Sequence, residues 1–269
     1  MKRYLIFLFL LTFGLQADAQ KYEVGGWVGT SMYFGDLNPH FGFKSPGLAG
    51  GLIGRINFNP RVSIKGGLNY FRISANDADS QFPWQQARNL SFKSGVVDGT
   101  VQLEFNFLEY IHGDPNAYYT PYLFGGLSMY HFNPKAVFNG ETVALQPLGT
   151  EGQARNSEYT RTQLAFAYGG GFKFDLNASW SVNVELSARL LFTDYLDDVS
   201  GEYPDFDDLE DRRGELAPLL SDRSGEINEF PVGEPGRQRG DTRGRDHITT
   251  FGIGLVYNFA SVKCPAFYR

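Results

Sequence analysis

The sequence predicts an all-β protein, an eight-stranded antiparallel transmembrane β-barrel with long extracellular loops. Three observations predict it. The first is a strict period of two, seen most clearly from Val97 to Phe107 (VDGTVQLEFNF). There Val97, Val101, Leu103, Phe105 and Phe107 share one parity, while Asp98, Thr100, Gln102, Glu104 and Asn106 share the other. Successive strand side chains point to opposite faces, so this segment needs one apolar and one polar environment. The second observation is that connection lengths alternate between short and long, as they do in membrane barrels. The third is an N-terminal export leader.

In order, residues 22–34 alternate Tyr22, Val24, Val28 and Met32 against Glu23, Trp27, Ser31 and Tyr33, and read as the first strand. A Gly-, Pro- and Asn-containing loop at 35–46 separates it from a second strand at 47–58. Asn59-Pro60 is a tight-turn signal, and a third strand follows at 61–74. After a polar loop at 75–89 comes the fourth strand, 90–108. A medium connection containing Gly113-Asp114-Pro115-Asn116 leads to the fifth, 120–132. A long polar loop, 133–157, precedes the sixth strand at 158–176, and Asn177-Ala178-Ser179 turns into the seventh at 180–193. A long charged loop at 194–246 ends at the eighth strand, 247–259. An even strand number places both termini on the short-turn side, expected to be periplasmic, and the loops at 35–46, 75–89, 133–157 and 194–246 outside the cell. A soluble sandwich gives no reason for loops to be sorted by length in this way.

Lys2 and Arg3, an apolar run from Tyr4 to Leu15 and Ala17-Asp18-Ala19 have the form of a signal peptide. We therefore divide the chain into a signal peptide (1–19), an outer-membrane barrel (20–259) and a periplasmic C-terminal tail (260–269). The mean hydropathy is −0.29, and past the leader no apolar run reaches the length of a membrane helix, so membrane insertion is expected through strands. The net charge of −6 argues against electrostatic nucleic-acid binding. Glycine (32 residues) and aromatics (16%) suit curved strands whose backbones approach closely.

Eight strands enclose a lumen that side chains fill. Arg55, Lys65, Glu104, Arg161, Lys173, Glu185 and Arg189 are the candidate lumen charges, expected to pair into a polar plug rather than line a pore. No G-x-S-x-G, H-E-x-x-H or C-x-x-C pattern occurs, so no catalytic residue is assigned and the protein reads as a non-enzyme. His131 and Ser128 are the one nearby His/Ser pair, and their parities point them to opposite faces. Nine carboxylates between Asp194 and Asp211, without an intervening Lys or Arg, could hold Ca²⁺, although EF-hand spacing is absent. A solvated loop paired with Arg212, Arg213, Arg243 and Arg245 is the alternative. The single cysteine, Cys264, suggests a partner thiol on another chain or an unused free thiol. With Pro265, Phe267 and Tyr268 it makes the tail a candidate docking segment.

Three segments carry a family resemblance: EVGGWVGTSMYFGDLNP from Glu23, FTDYLDDVSGEYPD from Phe192, and GRDHITTFGIGLVYNF from Gly244 with the Arg/Gly-rich stretch before it. Together they resemble the PorG family, Bacteroidetes outer-membrane barrels associated with the type IX secretion system. The resemblance implies a membrane subunit that contacts a periplasmic ring built from the PorK lipoprotein and PorN. On that reading Cys264, Phe267 and Tyr268 would face the ring lipoprotein. A generic structural barrel with loops for adhesion or ligand binding is the alternative.

Overall fold

The computed structural model describes residues 22–39, 45–241 and 244–259. The predicted leader and the tail, with Cys264, Phe267 and Tyr268, lie outside them. Eight strands build the wall: β1 (Tyr22–Phe34), β2 (Gly47–Asn57), β3 (Val62–Asn76), β4 (Ser91–Asn106), β5 (Tyr119–His131), β8 (Thr162–Asp175), β9 (Trp180–Leu191) and β10 (His247–Asn258). The remaining pair, β6 (Lys135–Phe138) and β7 (Glu141–Ala144), is a hairpin inside the third long loop. Each wall strand pairs antiparallel with its neighbours, β1 with β10 and β3 with β4 included, so the sheet closes on itself. Closure leaves no edge strand in the wall. Strand limits fall within a few residues of those expected from periodicity. The short connections 58–61, 107–118 and 176–179 share one end with Tyr22 and Phe259, the outer limits of the described wall, and the long ones share the other.

Alternation sets the two faces, and in the half nearer the short turns the barrel is inside-out. Val97, Val101, Leu103 and Phe105 lie on the outer surface, each about half exposed, while Asp98, Gln102 and Glu104 are buried within. The same outward apolar face continues around the wall through Leu123, Leu127, Leu164, Phe172, Leu186 and Ile253. Phe58, Phe107, Tyr118, Phe174, Trp180 and Phe259 form an aromatic rim near the short turns, where a membrane barrel carries its aromatic girdle. Val97 to Phe107 is ten steps, about 33 Å of strand, or ~25 Å after a tilt near 40°. That matches a hydrocarbon layer.

Toward the long loops the faces exchange character. Phe71, Ile73, Phe92 and Val96 are buried inside, while Arg72 and Lys93 face outward. They join Tyr33, Phe132, Leu191 and Ile248 in one apolar core beneath the loops. The strands thus outrun the apolar band, and the barrel continues as an ordinary water-facing structure.

The lumen is filled by paired charges. Arg55 bridges Glu23 and Glu104 (Nε–Oε2 2.7 Å to the latter), and Glu104 also accepts from Lys173 (2.7 Å) and Lys65 (3.2 Å). Lys65 reaches Glu185 at 2.5 Å, where Tyr122 Oη also donates at 2.6 Å. A second group joins Arg189, Ser128 and Asn69 to Asp98. Four cations thus meet four carboxylates, so no net charge is left in low dielectric. Among the described residues, a lumen cavity of about 30 Å³ lies beside these pairs, room for an isolated water or two. Arg161 departs from expectation: it precedes β8 at the loop-side rim and takes no part in this network, because the wall strand begins one residue later. Glycines admit the filling where backbone and ring approach closely. A Cβ at Gly126 would lie 2.1 Å from Val101 O, and one at Gly252 would lie 2.5 Å from the Trp27 ring.

Candidate functional site: the loop dome

The described parts of the four long connections fold together over the open end of the barrel. Three of them carry regular structure where side-chain alternation predicts only loop. In 77–90, α1 (Pro83–Arg88) ends at Asn89 in the left-handed conformation (φ 58°). In 132–161, β6 and β7 meet at Asn139-Gly140, both at positive φ. Asn-Gly is a strong hairpin signal, present in the sequence but hidden among polar neighbours. In 192–246, α2 (Phe206–Arg213) is capped by Asp205, whose carboxylate accepts from Asp207 N and Asp208 N, and α3 (Leu216–Ser221) follows.

Three distant segments converge on Tyr33. Its hydroxyl lies 2.5 Å from Asp197 Oδ2 and 3.0 Å from Asp246 Oδ1, partners 164 and 213 residues away. Asp246 also accepts from Leu196 N and Asp197 from Val199 N. Burial, reinforced by each carboxylate's acidic neighbours, raises both above the usual carboxylate range. The phenol has one proton to share between two acceptors. At least one carboxyl in this triad therefore carries a proton of its own when both contacts are made. Asp198 is held by Thr150 (2.5 Å) and Tyr159 (2.6 Å), and burial lifts it to about 6.

A second hub ties the fourth loop down. Arg239 Nη1 donates to Asp198 O (2.6 Å) and Glu151 (3.1 Å), and its Nε donates to Ser221 O. Glu151 in turn accepts from Ser200 N and Gly201 N. Arg88 holds Asp77 through two bonds (2.7 and 2.8 Å) and donates to Arg239 O, joining the second loop to the fourth.

The carboxylates between Asp194 and Asp211, which could hold Ca²⁺ or form a solvated loop, separate into different tasks. Asp197 and Asp198 are buried acceptors, Asp205 caps a helix, and Asp208 pairs with Arg212 one turn on. Among the described residues, no group of three His, Cys, Asp or Glu side chains is arranged to hold a metal ion. His131 and Ser128 lie on opposite faces. His131 is exposed beside Thr162, while Ser128 points inward to Asp98.

At the opposite mouth, His112 bridges Asp175 (Nδ1–Oδ1 2.8 Å) and Glu23 (Nε2–Oε1 3.1 Å). Burial alone would lower its pKa, but hydrogen bonds and charge from the two carboxylates outweigh this and hold it at about 9. Glu23 and Asp98 in the plug, and His112 at its mouth, lie outside the set of charges that the sequence predicts there. Parity could have supplied the first two, since both lie on the polar face. His112 sits in a connection, where parity says nothing.

The chain belongs to a family described as "Domain of unknown function (DUF6089)", which matches residues 2–217. No curated protein matches it in sequence. Its fold is similar to that of Ail, the attachment invasion locus protein of Yersinia pestis, solved with the heparin analogue sucrose octasulfate. That match has 12% identity and a TM-score of 0.41, and covers 88% of this chain and 98% of that one. It is similar also to Neisserial surface protein A (8% identity, 88% and 96% covered, TM-score 0.43). A third similar structure is OprG, an outer membrane protein from Pseudomonas aeruginosa (11% identity, 89% and 95% covered, TM-score 0.45).

Proposed function

We propose that this member of the DUF6089 family is a non-enzymatic, non-conducting barrel of the bacterial outer membrane, with both termini periplasmic and the loop dome outside. It serves there as an anchoring subunit of the type IX protein-secretion machinery, contacting the periplasmic ring. The observation that carries the anchoring role is the sealed lumen: buried charge pairs occupy the path a solute would take. The outward apolar band supplies the membrane contact. The secretion role is supported by the resemblance to PorG in three segments. Tyr33 from the first, Asp197 from the second and Asp246 from the third meet in one buried cluster.

On this reading the PorK-like lipoprotein and PorN are the periplasmic partners. The tail would dock through Phe267 and Tyr268, and Cys264 would form an intermolecular disulfide. Deleting the gene should remove cargo from the culture medium and leave lipid A unchanged; normal secretion would sink the role. Non-reducing electrophoresis should show a higher-mass band lost with reductant and in Cys264→Ser. A fully alkylatable thiol in the native protein would defeat the disulfide. The alternative, a barrel whose loops bind a ligand, is favoured by a pocket of about 300 Å³ in the dome, between α1 and the end of the fourth loop.

A further inference from the structure

The outward face of the wall strands carries charge of one sign, gathered in one sector. Every carboxylate of these strands, Glu23, Asp98, Glu104, Asp175 and Glu185, is engaged inside the barrel or at its mouth. Of their Lys and Arg side chains, Arg55, Lys65, Lys173 and Arg189 fill the lumen. The other two, Arg72 on β3 and Lys93 on β4, face outward and are exposed. They are close neighbours, because Arg72 pairs with Gly95 and Ser74 with Lys93. Lys135 joins them. β6 continues the line of β5 along β4, and Lys135 stands directly opposite Lys93. Its neighbour Ala136 is buried in the core, so Lys135 shares the outward face.

This cluster calls for an anion. Among the described residues, Arg61 and Arg212 elsewhere on the surface each pair with a carboxylate, while Arg72, Lys93 and Lys135 pair with none. Like charges directly opposite in a ladder repel, so an anion beside Lys93 and Lys135 relieves a repulsion that nothing in the chain offsets. The height of the cluster indicates which anion. Val97 and its partner Tyr70 end the outward apolar band. Arg72 and Gly95 lie one pleat repeat above them, about 5 Å along the axis, and Lys93 lies about 10 Å above. The headgroup layer over the hydrocarbon is about 5–8 Å thick, and long cationic stems reach into it. Tyr70 marks the boundary, its ring leaning over Gly95 so that a Cβ there would lie 2.8 Å from Oη. An apolar ring with a polar tip suits that position.

We propose that Arg72, Lys93 and Lys135 bind the phosphomonoester of an outer-leaflet lipid, with Tyr70 Oη as a further donor. A phosphomonoester carries a charge of about −1.5 to −2 at neutral pH, which matches several cations better than a carboxylate or a phosphodiester does. The Arg72 guanidinium can grip two of its oxygens, with the lysines as point charges beside it. Lipid is thereby held against the β3–β4 sector of the wall. The inference rests on the outer-membrane placement with the dome outside, and not on the secretion role.

Entry of the full chain into phosphatidylcholine vesicles, read as heat-modifiable electrophoretic migration, is scored first. Native mass spectrometry of the chain in zwitterionic detergent micelles then counts bound lipid during titration. The lipids are monophosphoryl lipid A, the same lipid after phosphatase treatment, and phosphatidylglycerol. Monophosphoryl lipid A should bind about tenfold more tightly than the other two. Each of Arg72→Gln, Lys93→Gln and Lys135→Gln should weaken it roughly fivefold, and the triple variant about a hundredfold. Arg61→Gln removes the same charge at the opposite mouth and should bind as the parent does. Equal binding of the phosphatase-treated lipid or of phosphatidylglycerol would overturn the inference. So would an equal loss in Arg61→Gln, which would mean diffuse attraction, or unchanged binding in the triple variant. Competition by inorganic phosphate at the lipid's own concentration would make this a free-phosphate site and overturn the lipid assignment. A chain that fails to enter vesicles would refute the membrane placement and the site together; one that enters them without lipid preference refutes the site alone.

Discussion

His112 shows what a single side chain contributes at the mouth opposite the dome. It closes a bridge between β1 and the end of β8 through Glu23 and Asp175. Its pKa is raised from 6.5 to about 9, so the folded state binds the proton more tightly than the unfolded chain. The stabilisation is fully present below about pH 6.5 and is lost as pH rises through about 9. Denaturant titrations from lipid vesicles should show His112→Gln less stable than the parent at pH 6, by roughly 2–3 kcal/mol, with the difference gone at pH 10. A second pair of substitutions tests the two faces. Leu186 faces outward at mid-strand and Ser187 faces the lumen. Leu186→Arg should cost roughly 2–4 kcal/mol by placing a charge in lipid. Ser187→Arg should cost at least as much, because Arg189 lies 3.2 Å from the Ser187 hydroxyl and the cavity beside it is only about 30 Å³. A milder effect at Ser187 would show that the plug can rearrange.

The fourth loop behaves as an element, fixed by Arg239 and by Asp246. Removing one partner of a buried ion pair typically costs 3–5 kcal/mol because the other charge is stranded. Arg239→Ala leaves Glu151 in that position and frees Ser221 O and Asp198 O together. Trypsin added to whole cells should therefore cut within 194–246 far faster in Arg239→Ala than in the parent, while the wall strands stay intact. Equal cleavage would mean that the hub does not secure the loop. Asp246 acts in the other direction. Its folded pKa is raised, so its contribution is fully present below the unfolded value near 3.8 and is lost as pH rises through the folded value. Asp246→Asn can still accept from Leu196 N, and it can donate to Tyr33 Oη while that hydroxyl donates to Asp197. The variant dome should melt no lower than the parent at pH 8, with a flatter pH profile. A lower melting point there would refute the shared proton.

At the scale of the molecule, the chain makes two environments from one wall. Near the short turns the wall is apolar outside and polar within; near the loops it is the reverse. The neutral plug and the apolar core beneath the dome lie in series along the axis. Planar bilayers holding the purified protein should therefore show no stepwise ion current. Discrete conductance steps would overturn the sealed lumen and with it the anchoring role.

The strands, their number and their faces follow from the sequence, because a period of two is a local property and barrel closure needs only an even set of such segments. The lumen charges Arg55, Lys65, Glu104, Lys173, Glu185 and Arg189 were legible for the same reason. The exchange of faces along β3 and β4 was also written in Phe71, Ile73, Phe92 and Val96, apolar residues on the otherwise polar parity. The dome was not legible. Its helices are short, six and eight residues in α1 and α2, below the length at which a helix signals itself or stands alone in water. They persist because tertiary contacts hold them. Which carboxylate meets Tyr33, and that Arg239 rather than Arg212 or Arg213 becomes the buried hub, depends on contacts across tens to hundreds of residues. Side-chain periodicity reports only a residue's neighbours along the chain. Pairings in the dome are decided by how four loops pack over one opening, and tertiary structure alone sets that.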